Sequence, residues 1–112
     1  MRTNFEHLFL RVRQFQKRTF PHQSLNGKLN HAAREIEEIR KRPEDISEHA
    51  DLLILAIAVA GDQGFTPEQL IAAAHEKMDI NFLRKWSAPD AAGVCSHQEI
   101  YDGGLGRMVT EL

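Results

Sequence analysis

The chain carries a single cysteine, Cys95, among 112 residues. One thiol excludes an internal disulfide and leaves a cysteine-built zinc site without its ligands. A basic excess is also missing. Fourteen Lys and Arg stand against sixteen Asp and Glu, for a net charge of -2 and no long Lys/Arg block. That balance argues against binding nucleic acid through a basic surface. The longest apolar run, Leu52 to Ala60, is far too short to span a bilayer. The opening MRTNFEHLFLRVR spreads charges through its apolar residues, unlike a secretory leader, so the expected location is cytoplasmic. There is no internal repeat, no low-complexity tract and no convincing strand pattern. Prolines are few, and Pro21, Pro43, Pro67 and Pro89 each sit where the pattern changes. Proline cannot continue a helix but is tolerated in its first turn, so these four cut the chain into helical blocks.

The first block, from Asn4 to about Arg18, repeats Phe5, Leu8, Phe9, Val12 and Phe15 at helical spacing and predicts an amphipathic helix. TFPHQSLNGK then reads as a connection. A second helix is expected from about Leu29 to Arg40, with Ala32, Ala33, Ile36 and Ile39 inward and Glu37 facing solvent with Lys41 as its i,i+4 partner. The third starts near Pro43 to Ser47, where Glu44 and Asp45 suit a helix N-terminus, and runs to about Asp62. Its ADLLILAIAVA has ten apolar residues of eleven, a composition that predicts burial on all sides, within a bundle or in a subunit interface. Gly64 is its expected C-terminal cap. The fourth opens with Thr66, Pro67 and Gln69 as a capping box and runs to about Trp86. From Ser87 onward periodicity is lost, and Gly103, Gly104 and Gly106 loosen the end. The expected fold is all-α: a four-helix bundle over residues 1–86, with an irregular tail over 87–112 in the same domain.

Across the second and third helices, EIEEIRKRPEDISEHAD carries two carboxylate pairs, Glu35/Glu38 and Glu48/Asp51, each with a three-residue step. That step puts both groups of a pair on one helix face. If the chain doubles back at Pro43, four carboxylates face one another. At about 6 Å and an effective dielectric of about 20, each pair would repel by roughly 3 kcal/mol. Asp51 shares its face with Leu52, Leu55 and Val59, so an inward position would require a partner or a metal. Acidic oxygens suit Mg²⁺, with Mn²⁺ possible on the same ligands. On the fourth helix, Lys77, Asn81 and Arg84 share one stripe; the cations fit phosphate oxygens and the amide fits a base or sugar edge. His31 falls beside Glu35 and Glu38, whereas His49 points about 100° away.

REIEEI at 34–39, SEHADLLIL at 47–55 and KMDINFLRKW at 77–86 resemble, in order and spacing, the MazG-like all-α nucleoside triphosphate pyrophosphohydrolases. With TFP ahead of the helix pair and His31 four residues before Glu35, the chain looks most like the dATP/dGTP pyrophosphohydrolase-like branch of bacteria and phages. The resemblance covers roughly residues 15–97. It implies Mg²⁺-dependent hydrolysis of a (deoxy)nucleoside triphosphate, a purine one in this branch, to monophosphate and pyrophosphate, by a homodimer or homotetramer. Carried over residue by residue, Glu35, Glu38, Glu48 and Asp51 are the metal ligands, and Glu35 and Glu38 the catalytic carboxylates. Lys77, Asn81, Arg84 and His31 are the nucleotide contacts. One departure stands inside the motif: Arg34 occupies a position where many members carry a further glutamate. Arg34 keeps open the alternative of a non-catalytic nucleotide-binding module with the same fold. A ferritin-like di-iron centre is disfavoured because no Glu-x-x-His occurs. A helix-turn-helix domain lacks its basic recognition face.

Overall fold

The computed structural model describes residues 1–98, 100–101 and 108–109. The expectation of a loose end at Gly103, Gly104 and Gly106 lies outside them. The helices are α1 (Asn4–Thr19), α2 (Leu25–Lys41), α3 (Ile46–Asp62) and α4 (Pro67–Leu83). The chain divides into two units, Met1–Leu70 and Ile71–Leu112.

Each helix start is set by a local side chain. Thr3 caps α1 by accepting the Glu6 amide at 3.1 Å. Ser24 accepts the Gly27 amide at 3.0 Å, so α2 begins at Leu25, four residues before the expected Leu29. The turn-like composition of SLNG had hidden this: Ser is a good N-cap, and a glycine costs little in a first turn that is already capped. Asp45 caps α3 through the Ser47 amide and hydroxyl, and those bonds hold its carboxyl below the ordinary value. The capping box at α4 is formed as expected. Thr66 N–H donates to Gln69 Oε1 at 2.9 Å, and Gln69 N–H to Thr66 Oγ1 at 3.1 Å. Gly64, at φ +89°, ends α3 in the left-handed region.

In the first unit, α3 packs against both α1 and α2. The centre is Phe9, Val12, Ile57 and Ala58, flanked by Phe5, Leu8, Ile54 and Leu70. Phe5 and Phe9 meet edge to face, with centroids 6.2 Å apart. One polar joint ties three helices together. Asp62 of α3 accepts from Arg13 of α1 and from Lys28 of α2, whose side chain is almost wholly buried. Burial alone would raise the Asp62 pKa; the Lys28 and Arg13 hydrogen bonds outweigh it and hold the carboxyl below its usual range. Gly61 makes room for this joint, since a Cβ there would collide with Arg13 Cδ.

The expectation that α3 is buried on all sides does not hold within one chain. Leu55, Ile57, Ala58 and Gly61 are buried, but Ile46, Ala50, Leu53 and Ala56 are exposed, Leu53 by 49%. The helices packed on α3 cover one side of it, and its apolar sequence continues around the other.

In the second unit, α4 ends at Leu83, short of the expected Trp86. Trp86 instead begins a return of the chain. Its indole donates to the Asn81 carbonyl at 3.0 Å, and it pairs antiparallel with His97. Asp90 Oδ1 caps the turn by accepting from Ala92 and Val94 N–H. The tail is therefore less irregular than its composition predicts, because Asp90 and Gly93 (φ +81°) supply turn chemistry. Further on, β1 (Ile100–Tyr101) pairs antiparallel with β2 (Met108–Val109), Ile100 opposite Val109 and Tyr101 opposite Met108.

Candidate metal and nucleotide site

The α2–α3 pair brings together three of the four expected carboxylates. Glu35, Glu48 and Asp51 each offer an oxygen, and these oxygens lie within 4.8 Å of one another. Residues 42–45 make the connection that lets the two helices run back on each other, stabilised by Asp45 N–H donating to the Arg42 carbonyl at 3.1 Å. The set is chemically right for a hard divalent cation, being all oxygen and all anionic. Partial burial, followed by the charges of Glu38, Asp45, Asp51 and Glu35, raises the Glu48 pKa above its ordinary value.

Glu38 stands next to this trio and not within it. Its charge reaches Glu48, while its carboxylate is 3.5 Å from Lys41 Nζ. Glu37, expected to pair with Lys41 at i,i+4, pairs with Arg40 at 2.9 Å instead. The i,i+3 geometry won over i,i+4 for both glutamates. Asp51 is exposed and does not sit inward among leucines. Its burial therefore carries no weight, and its closeness to two other carboxylates does. His31 Nε2 is 3.1 Å from Glu35 Oε1, one helical turn before it. His49 turns away to the Pro43 carbonyl at 2.8 Å.

Lys77, Asn81 and Arg84 lie in the second unit. Arg84 Nη1 donates to Asn81 Oδ1 at 3.3 Å, so the amide and the guanidinium form one polar group at the end of α4. Arg34 is exposed.

Beside the trio opens a cavity of about 560 Å³, lined by Glu35, Asp51 and His31 on one side. Leu8, Val12, Phe15 and Phe20 line its apolar part, joined by Ile54 and Leu55. Phe15 and Phe20 meet edge to face, with centroids 5.7 Å apart. Arg11 and Gln16 complete the wall. The volume and the apolar lining with few polar groups suit a small organic ligand. Sequence reasoning assigned Phe15 to the core and missed Gln16 altogether. The signal was present: Phe5, Phe9, Val12 and Gln16 follow one heptad-like stripe, so Gln16 is a polar residue in an apolar row.

Carboxylates clustered beside an apolar cavity suit a divalent cation and a small organic ligand, the equipment of a hydrolase. The comparisons with known proteins narrow that class. The dATP/dGTP pyrophosphohydrolase family profile matches residues 9–100, and the chain belongs to that family. It is thus a nucleoside triphosphate pyrophosphohydrolase. Among solved structures, the fold is similar to that of the cyanophage S-2L MazG-like pyrophosphohydrolase, bound to dGDP and three catalytic Mn²⁺ ions per active site. The TM-score is 0.71 at 25% sequence identity, covering 87% of this chain and 99% of that one. No curated protein matches the chain. A divalent cation and a nucleotide substrate accord with both the family and the acidic cluster. Among the described residues, no helix is long and apolar enough to cross a membrane.

Proposed function

We propose that Glu35, Glu48 and Asp51, joined by Glu38, hold Mg²⁺, with Mn²⁺ as a substitute, and that the protein converts a purine deoxynucleoside triphosphate to monophosphate and pyrophosphate. The observation that carries this reading is the approach of three carboxylates from two helices to within 4.8 Å. When bound, such an ion supplies positive charge against phosphate oxygens and acidifies water. The chain's own groups do the rest. Glu35 and Glu38 orient the attacking water and accept its proton. His31 fixes the Glu35 carboxylate, so that one oxygen keeps a constant direction. In the second unit, Lys77 and Arg84 are suited by charge to phosphate oxygens, and Asn81 by its amide to a sugar or base edge. The cavity at Phe15 and Phe20 takes the nucleoside, excluding water from its apolar face.

Residues 1–86 and the tail are proposed to act as one domain, and the exposed apolar face of α3 to join copies into a homodimer or homotetramer in the cytoplasm. The catalytic reading is tested by incubating the protein with each deoxynucleoside triphosphate and Mg²⁺ and assaying pyrophosphate. No release from any of them at micromolar enzyme overturns it. Asp51→Asn, nearly isosteric, is expected to abolish cation-dependent hydrolysis and keep the helical circular-dichroism signal. Full activity in that variant removes Asp51 from the ligand set.

A further inference from the structure

Gln16 is 5% exposed, and its Oε1 has no hydrogen-bond partner among the described residues. A buried amide oxygen left without a donor is unfavourable, and such groups in folded proteins call for an explanation. Gln16 is the only neutral side-chain amide on the wall of the 560 Å³ cavity, on the same helix as Val12 and Phe15. Arg11 on that wall has no acceptor to offer, and His31 is held to Glu35. Gln16 also borders a smaller cavity of about 170 Å³, where Lys28 and Asp62 bind each other and where Gln23 Oε1 is likewise without a partner among the described residues.

We propose that Gln16 is a specificity-determining residue that reads the hydrogen-bonding edge of a purine base lodged in this cavity, against the wall that Phe15 and Phe20 form. The inference rests on the cavity being the nucleoside site proposed above. An amide offers one acceptor and one donor side by side. Adenine presents its exocyclic amine as donor next to the N1 acceptor. Guanine presents N1–H as donor next to the O6 acceptor. Turning the amide over lets the same side chain satisfy either base, so Gln16 accepts both purines while leaving no buried oxygen unpaired. A carboxylate in its place has acceptors only. It fits the two donors of guanine, N1–H and the exocyclic amine, and faces the N1 lone pair of adenine without a proton to give.

The test compares Gln16→Glu with the wild type in two assays. The first is kcat/KM for dATP and dGTP from pyrophosphate release. The second is calorimetric binding of the products dAMP and dGMP in the presence of Mg²⁺, which needs no turnover. Gln16→Glu is expected to shift both ratios toward guanine by about tenfold or more. A folded Gln16→Glu with both ratios unchanged overturns the proposal. If that variant fails to fold by circular dichroism, Gln16→Met decides. It is expected to weaken binding of both monophosphates, and unchanged binding of both overturns the proposal. Wild-type protein that releases no pyrophosphate but binds the monophosphates with a Gln16-dependent ratio defeats the catalytic reading and supports this one. Failure of the wild type to bind either monophosphate overturns it.

Discussion

His31 donates to a carboxylate proposed to hold the cation, one helical turn away at 3.1 Å. Groups that orient a ligand without touching the metal commonly matter by about 10- to 100-fold in metal affinity or activity. His31→Gln is expected to lie at the low end of that range, since an amide N–H can still reach Glu35, and His31→Ala at the high end. Titration of Mn²⁺ by electron paramagnetic resonance reads the affinity directly. Equal affinity in both variants and wild type would leave His31 a surface partner. The carboxylates themselves were legible in the sequence because helix phase is arithmetic: a three-residue step puts Glu35 with Glu38 and Glu48 with Asp51. Which three would converge was not legible. That depends on the crossing of α2 and α3 and on the competition of Lys41 for Glu38, and neither is periodic.

At the scale of elements, the Arg13–Lys28–Asp62 joint fixes how three helices meet. Its folded-state pKa is depressed, so Asp62 contributes stability that is complete above its unfolded value and is lost as pH falls through the folded one. The stability gap between wild type and Asp62→Asn, from urea unfolding, is therefore expected to be constant between about pH 5 and 8. It should shrink only below the ordinary aspartate value of 3.8. A gap that closed near neutrality would locate the effect elsewhere. Gly61 belongs to the same joint. Gly61→Ala should destabilise the wild type, because the new methyl displaces Arg13 from Asp62. In an Arg13→Ala background the obstruction is gone, and the same change should stabilise by about 1 kcal/mol through helix propensity alone. Additive effects in that double-mutant cycle would contradict the geometry. Lys28 was read as part of a connection in the sequence, since SLNGK looks like a turn until Ser24 is seen as a cap. A buried lysine is also an exception to the usual placement of that residue, and only its pairing with Asp62 accounts for it.

For the whole molecule, the row Ile46, Ala50, Leu53 and Ala56 is an apolar helix face left exposed among the described residues. Apolar helix faces of this kind mark association surfaces. Light scattering is expected to give at least twice the 12.8 kDa of one chain, and Leu53→Asp to return the mass to a monomer. A wild-type monomer would remove the assembly proposal and leave the family and the acidic trio untouched. The order and class of the helices were readable from proline placement and the 3.6-residue period. The division at Leu70 was not, because α4 runs through it without a break in the sequence pattern.

The short connection at residues 42–45 has a further consequence, for the order in which the chain folds. Among the packed helix pairs, α2 with α3 closes the smallest loop, and small loops lose the least entropy on closing. The pairing that topology favours earliest is also the one that gathers Glu35, Glu48 and Asp51. Like charge therefore opposes the contact that would otherwise form first. A divalent cation relieves that opposition and, by binding only the paired helices, enlarges the folded population by RT ln(1 + [M]/Kd). The ion proposed for chemistry is on this view also an assembly factor, and cation supply would govern how much of the chain is folded as well as how fast it turns over.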